Sequence, residues 1–411
     1  MEGHVRKRGS KWYFSYEASN VDGKRKRIER VGGRTKKEAE AALRNALLEY
    51  ENAGMHFQPA EISVADYLDY WYKNHVLINC KPYTQGSYEV MIRRHFKPAL
   101  GIYKLKALTP SILQEFANEK YRSNIAKSTL YNILGALSGA LKYAVHPCGF
   151  IKDNPMQYVK RPKYDHDEGQ QSHVVISTQD FQNIIERFPL GSSYFIPIMI
   201  GYYAGCRIGE VMSLTWDDVD LDKGTISISK NLIKHQSKWY IGTTKTKAST
   251  RTIKIGSSLR DALRQHRKLQ LEHRLEYGPH YLDQYIIPEP DPSSRKPRKR
   301  IHLFSASETP KGAELLKIVC TQESGKMVTQ DIFKYAAKVI HHSLEIKFTF
   351  HSLRHTHATM LIENGANIKG VQARLGHANI QTTLNAYTHA TETMASQSVE
   401  IFESAAKQNL S

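Results

Sequence analysis

The chain has 411 residues, with 58 Lys/Arg against 40 Asp/Glu, a net charge of +18 and an isoelectric point near 9.5; this length favours two or three domains, and this charge predicts a polyanionic partner. Four scattered cysteines (Cys80, Cys148, Cys206 and Cys320) without C-x-x-C spacing exclude a disulfide framework and a thiolate zinc site. No apolar run is long enough to cross a bilayer and the basic, polar N-terminus lacks a signal-peptide pattern, so a cytoplasmic protein with no membrane partner is expected.

Residues 1–58 read as a small independent module. Arg6, Lys7 and Arg8 lead into a short aromatic strand over 11–17, Asp22-Gly23 makes a turn, and residues 24–31, with Lys24, Arg25, Lys26 and Arg27, read as a second and strongly basic strand. Thr35 and Glu38 have capping-box spacing and open a helix through Ala39, Ala42, Leu43, Ala46, Leu47 and Tyr50. Taken alone, the basic sheet would be read as solubilising charge. Residues 54–59 are the expected linker.

Residues 62–160 read as helical. Ser63 starts the first amphipathic helix, residues 81–96 supply a second, Thr109-Pro110-Ser111 cap a third through Phe116, and residues 128–145 make a fourth. Apolar residues recur at three and four, which predicts a small bundle. Arg93, Arg94, Lys97, Lys127 and Lys142 are candidate phosphate contacts, although each taken singly reads equally as a solvated surface charge. Residues 161–172 are polar with no apolar period and form the expected interdomain linker.

From residue 173 the pattern becomes mixed. Thr178 is expected to cap a helix bearing Phe181, Ile184 and Ile185, and residues 194–204 form an apolar helix that ends at Gly205. Strands are expected at 225–229, 238–242 and 251–255. Residues 288–300, rich in proline and ending in RKPRKR, read as an irregular basic insertion that is a candidate for backbone contact. Residues from 311 return to helix.

Chemistry gathers in residues 351–387: an H-x-x-R pair, His351 and Arg354; then Leu375-Gly376-His377; then Tyr387. A buried helix needs no arginine, two imidazoles and a phenol in this order, whereas a site that breaks a phosphodiester does. Arginine grips phosphate oxygens with a planar fork of donors, histidine shares a proton near neutrality, and tyrosine can hold a phosphate covalently. Upstream, Gly205-Cys206-Arg207-Ile208-Gly209-Glu210 contains an R-x-x-E pair that alone would be an ordinary surface ion pair. His351, His355 and His357 have zinc-like spacing, but no Cys, Asp or Glu ligand lies near and Arg354 would repel a cation, so no metal is assigned.

These residues resemble the signature of the tyrosine recombinases, the phage-integrase family, in which H-x-x-R, L-G-H and a tyrosine about ten residues later form most of the active site. The segment at 205–210 is similar to the family's first arginine box, G-x-R-x-x-E. The resemblance implies an arginine clamp of Arg207 and Arg354, hydrogen bonds from His351 and His377, Glu210 as a brace, and Tyr387 as nucleophile. The form K-T-x-x-S-x-R at 245–251 implies Lys245 as the catalytic lysine, carried on a β-hairpin between strands 239–242 and 251–255, with Lys247 as the alternative.

The same resemblance implies an α+β multidomain fold. Its parts are an arm-type DNA-binding module at 1–58 (a three-stranded sheet with a helix), a helical core-binding domain at 62–160, a catalytic domain at 173–390 with a small antiparallel sheet, and a tail at 391–411 that either packs on its own domain or docks on a neighbouring protomer. It further implies double-stranded DNA as substrate, a homo-tetramer, accessory bending or excision proteins, and no cofactor. The expected activity is integration and excision of a mobile element through a 3′-phosphotyrosine and a four-way junction. The rivals are relaxation of the type IB topoisomerase kind and a catalytically silent, architectural DNA-binding protein.

Overall fold

The computed structural model describes residues 3–21, 24–53, 62–164, 174–244, 246–291 and 297–381. The chain divides into two units, Met1–Gly169 and Gln170–Ser411. The linker expected at 54–59 and residues 165–172 of the second linker lie outside the described residues.

The first unit opens with an antiparallel sheet of β1 (Gly3–Arg8), β2 (Lys11–Val21) and β3 (Lys24–Gly33), in that order, followed by α1 (Lys36–Ala53). The Arg6-Lys7-Arg8 run is thus itself a strand, where the residues alone suggested a basic lead-in; Arg6 opposes Tyr13 across the ladder. Phe14 and Tyr16 of β2 bury against Leu43 of α1, with Val5 and Ile28 packed around them. The capping box forms as expected: the Glu38 N–H donates to Thr35 Oγ1 at 3.2 Å and Glu38 Oε2 accepts from the Thr35 N–H at 3.3 Å.

Four main helices follow, α2 (Val64–Trp71), α3 (Pro82–Met91), α4 (Pro110–Arg122) and α5 (Lys127–Val145), the first two running on through π-helical turns at Tyr72–Val76 and Ile92–Phe96. Ser63 and Thr109 cap α2 and α4 through the Asp66 and Ile112 N–H groups, at 3.0 and 3.4 Å. The third helix reaches Arg122, six residues past its expected end, because no breaker lies between Phe116 and Ser123. Tyr67, Leu68, Phe96, Leu113, Leu130 and Leu137 share one core.

The second unit begins with α6 (Thr178–Arg187), α7 (Phe195–Ala204) and the single turn α8 (Ile208–Val211). Ser177, and not Thr178, caps α6: its Oγ accepts from the Asp180 N–H at 3.0 Å. Ser177 with Asp180 has the S-x-x-D spacing that puts an acid at the third helical position.

Two sheets follow. One orders β4 (Val219–Asp220), β5 (Thr225–Ile228) and β8 (Arg251–Lys254); the other runs β11 (Glu314–Leu316), β9 (Leu282–Glu289), β10 (Arg298–Ser305), β7 (Lys238–Thr243) and β6 (Lys230–His235). The helix α9 (Ser257–Tyr277) lies between β8 and β9 in the chain, and α10 (Gln330–Ser343), α11 (Phe350–Glu363) and α12 (Ile368–Leu375) complete the described residues.

Three expectations are corrected here. The strands flanking residue 245 do not form a hairpin: β7 pairs with β6 and β10, while β8 pairs with β5. The segment between them therefore crosses from one sheet to the other. The partner of β7 is set locally, since Gln236 and Ser237 both adopt positive φ (46° and 63°) and close a two-residue β6–β7 turn. The two ends of the basic insertion are strand, because β9 and β10 pair from Arg298↔Glu289 to Ser305↔Leu282; residues 292–296 lie outside the described residues. Two arginines at its end are neutralised by nearby acids, Arg300 by Glu289 and Arg298 by Asp291 at 2.8 Å. Residues 311 onward form β11 before any helix begins. Among the described residues no helix is long and apolar enough to cross a membrane.

Candidate active site

The helix α7 is apolar on every face and buried, and it stops at Gly205, which turns left-handed (φ 64°). A side chain there would meet the His357 ring at 2.7 Å and Leu375 at 2.8 Å, so the turn is packed against α11 and α12. Arg207 then stands extended at the start of α8. Its backbone N–H donates to Glu210 Oε2 at 3.0 Å and its Nη1 to Glu210 Oε1 at 2.9 Å, while Nη2 reaches the Gly376 carbonyl at 3.4 Å. The R-x-x-E pair is therefore a buried brace, with the Glu210 side chain 3% exposed and that of Arg207 31%.

Glu210 is shared with Arg251, whose Nη1 and Nη2 donate to Oε1 and Oε2 at 3.3 and 3.1 Å. Burial works against the charged Glu210 carboxylate, but the hydrogen bonds and charge of Arg251, followed by those of Arg207, outweigh it and hold the carboxyl below its usual range.

Thr349 and Ser352 cap α11 reciprocally at 3.2 Å, which puts His351 exposed in the first turn and Arg354 on the inner side. Arg354 is 2% exposed. Its Nη1 donates to the Gly205 carbonyl and its Nη2 to the Leu375 carbonyl, both at 2.7 Å. Burial, then the charge of Arg207, push this guanidinium down to about 9, which leaves it charged at neutral pH. His351 stacks edge-on against His355, with ring centroids 4.5 Å apart.

The helix α12 ends at Gly376, also left-handed (φ 68°), and His377 follows, half-buried, with its N–H on the Gln372 carbonyl at 3.1 Å. Burial, then the charges of Arg354 and Arg207, push the His377 imidazole down to about 4, so it is neutral at physiological pH and can donate one proton and accept another.

The fold thus brings together Arg207, Glu210, His351, Arg354 and His377. Tyr387 and Lys245 lie outside the described residues. Lys247 opens a 3-10 turn, Lys247–Ser249, whose Ser249 Oγ faces the Gly376 carbonyl at 3.4 Å. His357 is structural: its Nδ1 lies 2.8 Å from the Tyr202 carbonyl and its Nε2 accepts from Arg374 Nε at 2.9 Å, so both ring nitrogens are engaged. Arg374 also donates to the Lys254 and Tyr203 carbonyls, at 2.9 and 3.1 Å. Arg251 and Arg374 were not singled out from sequence. Arg251 ends the K-T-x-x-S-x-R form, and that was its one signal.

The basic residues of the first unit differ in how free they are. Arg6 forks onto Glu29 at 2.7 to 2.9 Å, and Arg27 donates to Ser15 Oγ at 2.9 Å. Lys7, Arg8, Arg93, Arg94 and Lys127 are exposed, while Lys24, Arg25 and Lys26 begin β3.

Two arginines and a neutral imidazole thus converge from three separate segments, with Arg207 partly exposed and Arg354 buried behind it. Residues 177–394 match the phage integrase family, residues 63–121 its N-terminal SAM-like domain, and residues 4–50 an arm DNA-binding domain. The chain belongs to the phage integrase family, the tyrosine recombinases, whose members cleave and rejoin DNA. It is 27% identical over 383 residues to a XerC-like tyrosine recombinase of Caldanaerobacter subterraneus, covering 90% of this chain and 89% of that one. It is 24% identical over 314 residues to the ICEBs1 integrase of Bacillus subtilis, covering 76% and 75%. Its fold is similar to that of the Tn1549 transposon integrase solved with transposon right-end DNA (TM-score 0.61, 20% identity, 82% of this chain and 99% of that one). It is also similar to that of lambda integrase solved as a tetramer on a Holliday junction (TM-score 0.52, 14% identity, 95% and 96%).

Proposed function

We propose that this chain is the integrase of a mobile element, cutting and rejoining double-stranded DNA at specific sites through a covalent 3′-phosphotyrosine on Tyr387. The observation that carries this reading is the joining of Arg354 to both Gly205 and Leu375, which ties the arginine box, the H-x-x-R helix and the L-G-H turn together. A phosphodiester repels nucleophiles, and its transition state adds charge to the non-bridging oxygens. Arg207 and Arg354 neutralise that charge with preorganised donors, while His351 and His377 add hydrogen bonds. The Tyr387 oxygen attacks phosphorus as its proton passes to solvent water, the bond from phosphorus to the 5′ oxygen breaks, and Lys245 hands that oxygen a proton. Because the ester is conserved in the phosphotyrosine, a 5′ hydroxyl from another strand reverses the step without ATP.

Strand exchange in pairs through a four-way junction requires a homo-tetramer. The basic sheet at 1–58 would take arm-type DNA and the bundle at 62–160 core-type DNA beside the cut, with accessory bending or excision proteins shaping the complex. The tail at 391–411 would dock on a neighbouring protomer. Work on DNA of this kind belongs in the cytoplasm.

The test uses nicked duplexes from a library of element-end sequences, so that the cut strand diffuses away. Wild type and Tyr387→Phe are incubated with them in EDTA and resolved on a denaturing gel. The expected result is a protein–DNA adduct with wild type only. An adduct with both moves the nucleophile elsewhere, and none from either, despite binding, favours the silent binder. Joining that needs two DNA partners separates recombination from topoisomerase-type relaxation.

A further inference from the structure

Arg251 is almost wholly buried, its side chain 7% exposed, and its guanidinium is held by a carboxylate and two backbone carbonyls. Nε donates to the Arg374 carbonyl at 2.6 Å and Nη1 to the Ser249 carbonyl at 2.9 Å, while Nη1 and Nη2 together hold both oxygens of Glu210. With its fork spent in this way it has little left for a phosphate. Arg207 is the reverse case: it shares Glu210 but keeps about a third of its side chain open.

The two arginines divide Glu210 between them. Oε1 takes Nη1 of each, and Oε2 takes the Arg207 backbone N–H and Arg251 Nη2. With Arg207 alone, a carboxylate on the single-turn α8 would have several rotations open to it. The planar fork of Arg251, itself pinned to two backbone carbonyls, selects one. Those carbonyls belong to Ser249 and Arg374, so the same guanidinium holds the turn facing Gly376 and the end of α12 that carries His377. Gly376 lies close by, since a side chain added there would come 3.0 Å from Arg251 Nη1.

We propose that Arg251 is the positioning residue of the phosphate clamp: it locks Glu210, and through it Arg207, into register with the Gly376-His377 turn. This rests on the recombinase reading above. A lysine would keep the charge but offers one point of donation in place of the fork.

The test compares wild type, Arg251→Lys and Glu210→Gln in single-turnover cleavage on the nicked duplex whose cut position the wild-type adduct has mapped. The duplex is made with either an ordinary scissile phosphate or a methylphosphonate, in which one non-bridging oxygen is a methyl group and the charge is gone. Thermal melting and DNA binding of each variant are measured alongside. Arg251→Lys is expected to fold and bind DNA, yet to cleave the phosphodiester about 100-fold more slowly, the scale of an ångström-sized misplacement. On the methylphosphonate, where there is less charge to neutralise, its deficit should shrink to below about tenfold. Glu210→Gln, nearly isosteric, should show the same split if Arg251→Lys does not fold. Equal deficits on both substrates, or wild-type rates in both variants, would overturn the proposal. Absence of an adduct from wild type would instead sink the recombinase reading and this proposal with it.

Discussion

Arg354 and Gly205 stand 149 positions apart in the chain, yet the Arg354 Nη1 donates to the Gly205 carbonyl at 2.7 Å while its Nη2 holds the Leu375 carbonyl at the same distance. One guanidinium therefore joins the segment bearing Arg207 to the segment bearing His377. It does so from a helix whose otherwise buried first turn carries the exposed His351.

Arg354→Lys should accordingly lose both chemistry and stability. Removing a preorganised donor to the transition state costs roughly two to three powers of ten in rate. A lysine also leaves at least one buried carbonyl unpaired, at about 1–3 kcal/mol. Cleavage of the nicked duplex and thermal unfolding of the full chain check the two effects. Unchanged melting would contradict the joining role.

His357 and His377 both sit near 4, held down chiefly by burial and then by the neighbouring Arg374 and Arg354 charges respectively. Their folded values lie below the ordinary 6.5, so the unfolded chain binds protons first as pH falls. The stability these neutral imidazoles provide is complete above pH 6.5 and is lost progressively between about 6.5 and 4. For the more deeply buried His357 the loss is on the order of 3 kcal/mol. Urea unfolding between pH 4 and 7 should show this acid limb, and His357→Gln should flatten it while lowering stability at pH 7. An unaltered acid limb in that variant would count against the argument.

Gly376 has φ 68°, and a side chain there would meet the Ala248 carbonyl at 2.9 Å and Arg251 Nη1 at 3.0 Å. Gly376→Ala should cost about 1–2 kcal/mol for the backbone conformation alone. It should also displace the turn that carries His377, so cleavage should fall more than DNA binding. A variant that melts lower but cleaves at the wild-type rate would show the turn to be dispensable for chemistry.

Arg93 and Arg94 are exposed on a π-helical turn, whereas Arg6 is engaged by Glu29. If the first two meet phosphates, removing both should lower the slope of log affinity against log salt by about two, uniformly across DNA sequences. Arg6→Ala should change it by less, because that charge is already partly matched. Fluorescence anisotropy over a salt series measures both slopes, and an unchanged slope in the double variant would remove these residues from the interface.

Local chemistry was legible in the sequence. Caps at Ser63, Thr109 and Thr35–Glu38 and the apolar helix ending at Gly205 all depend on residues within a few positions of one another. Partnership between distant segments was not. That β7 also pairs with β10, and that β8 pairs with β5 instead of β7, depends on neighbours supplied from elsewhere in the chain. The roles of Arg251 and Arg374 emerge only where the fold surrounds them with a carboxylate and backbone carbonyls. The sequence by itself determined which residue types meet a phosphate, because that follows from ionisation and donor geometry. Only the tertiary structure decided that Arg207 stays partly open while Arg251 and Arg354 are enclosed, because burial and hydrogen-bond partners are properties of the packed chain.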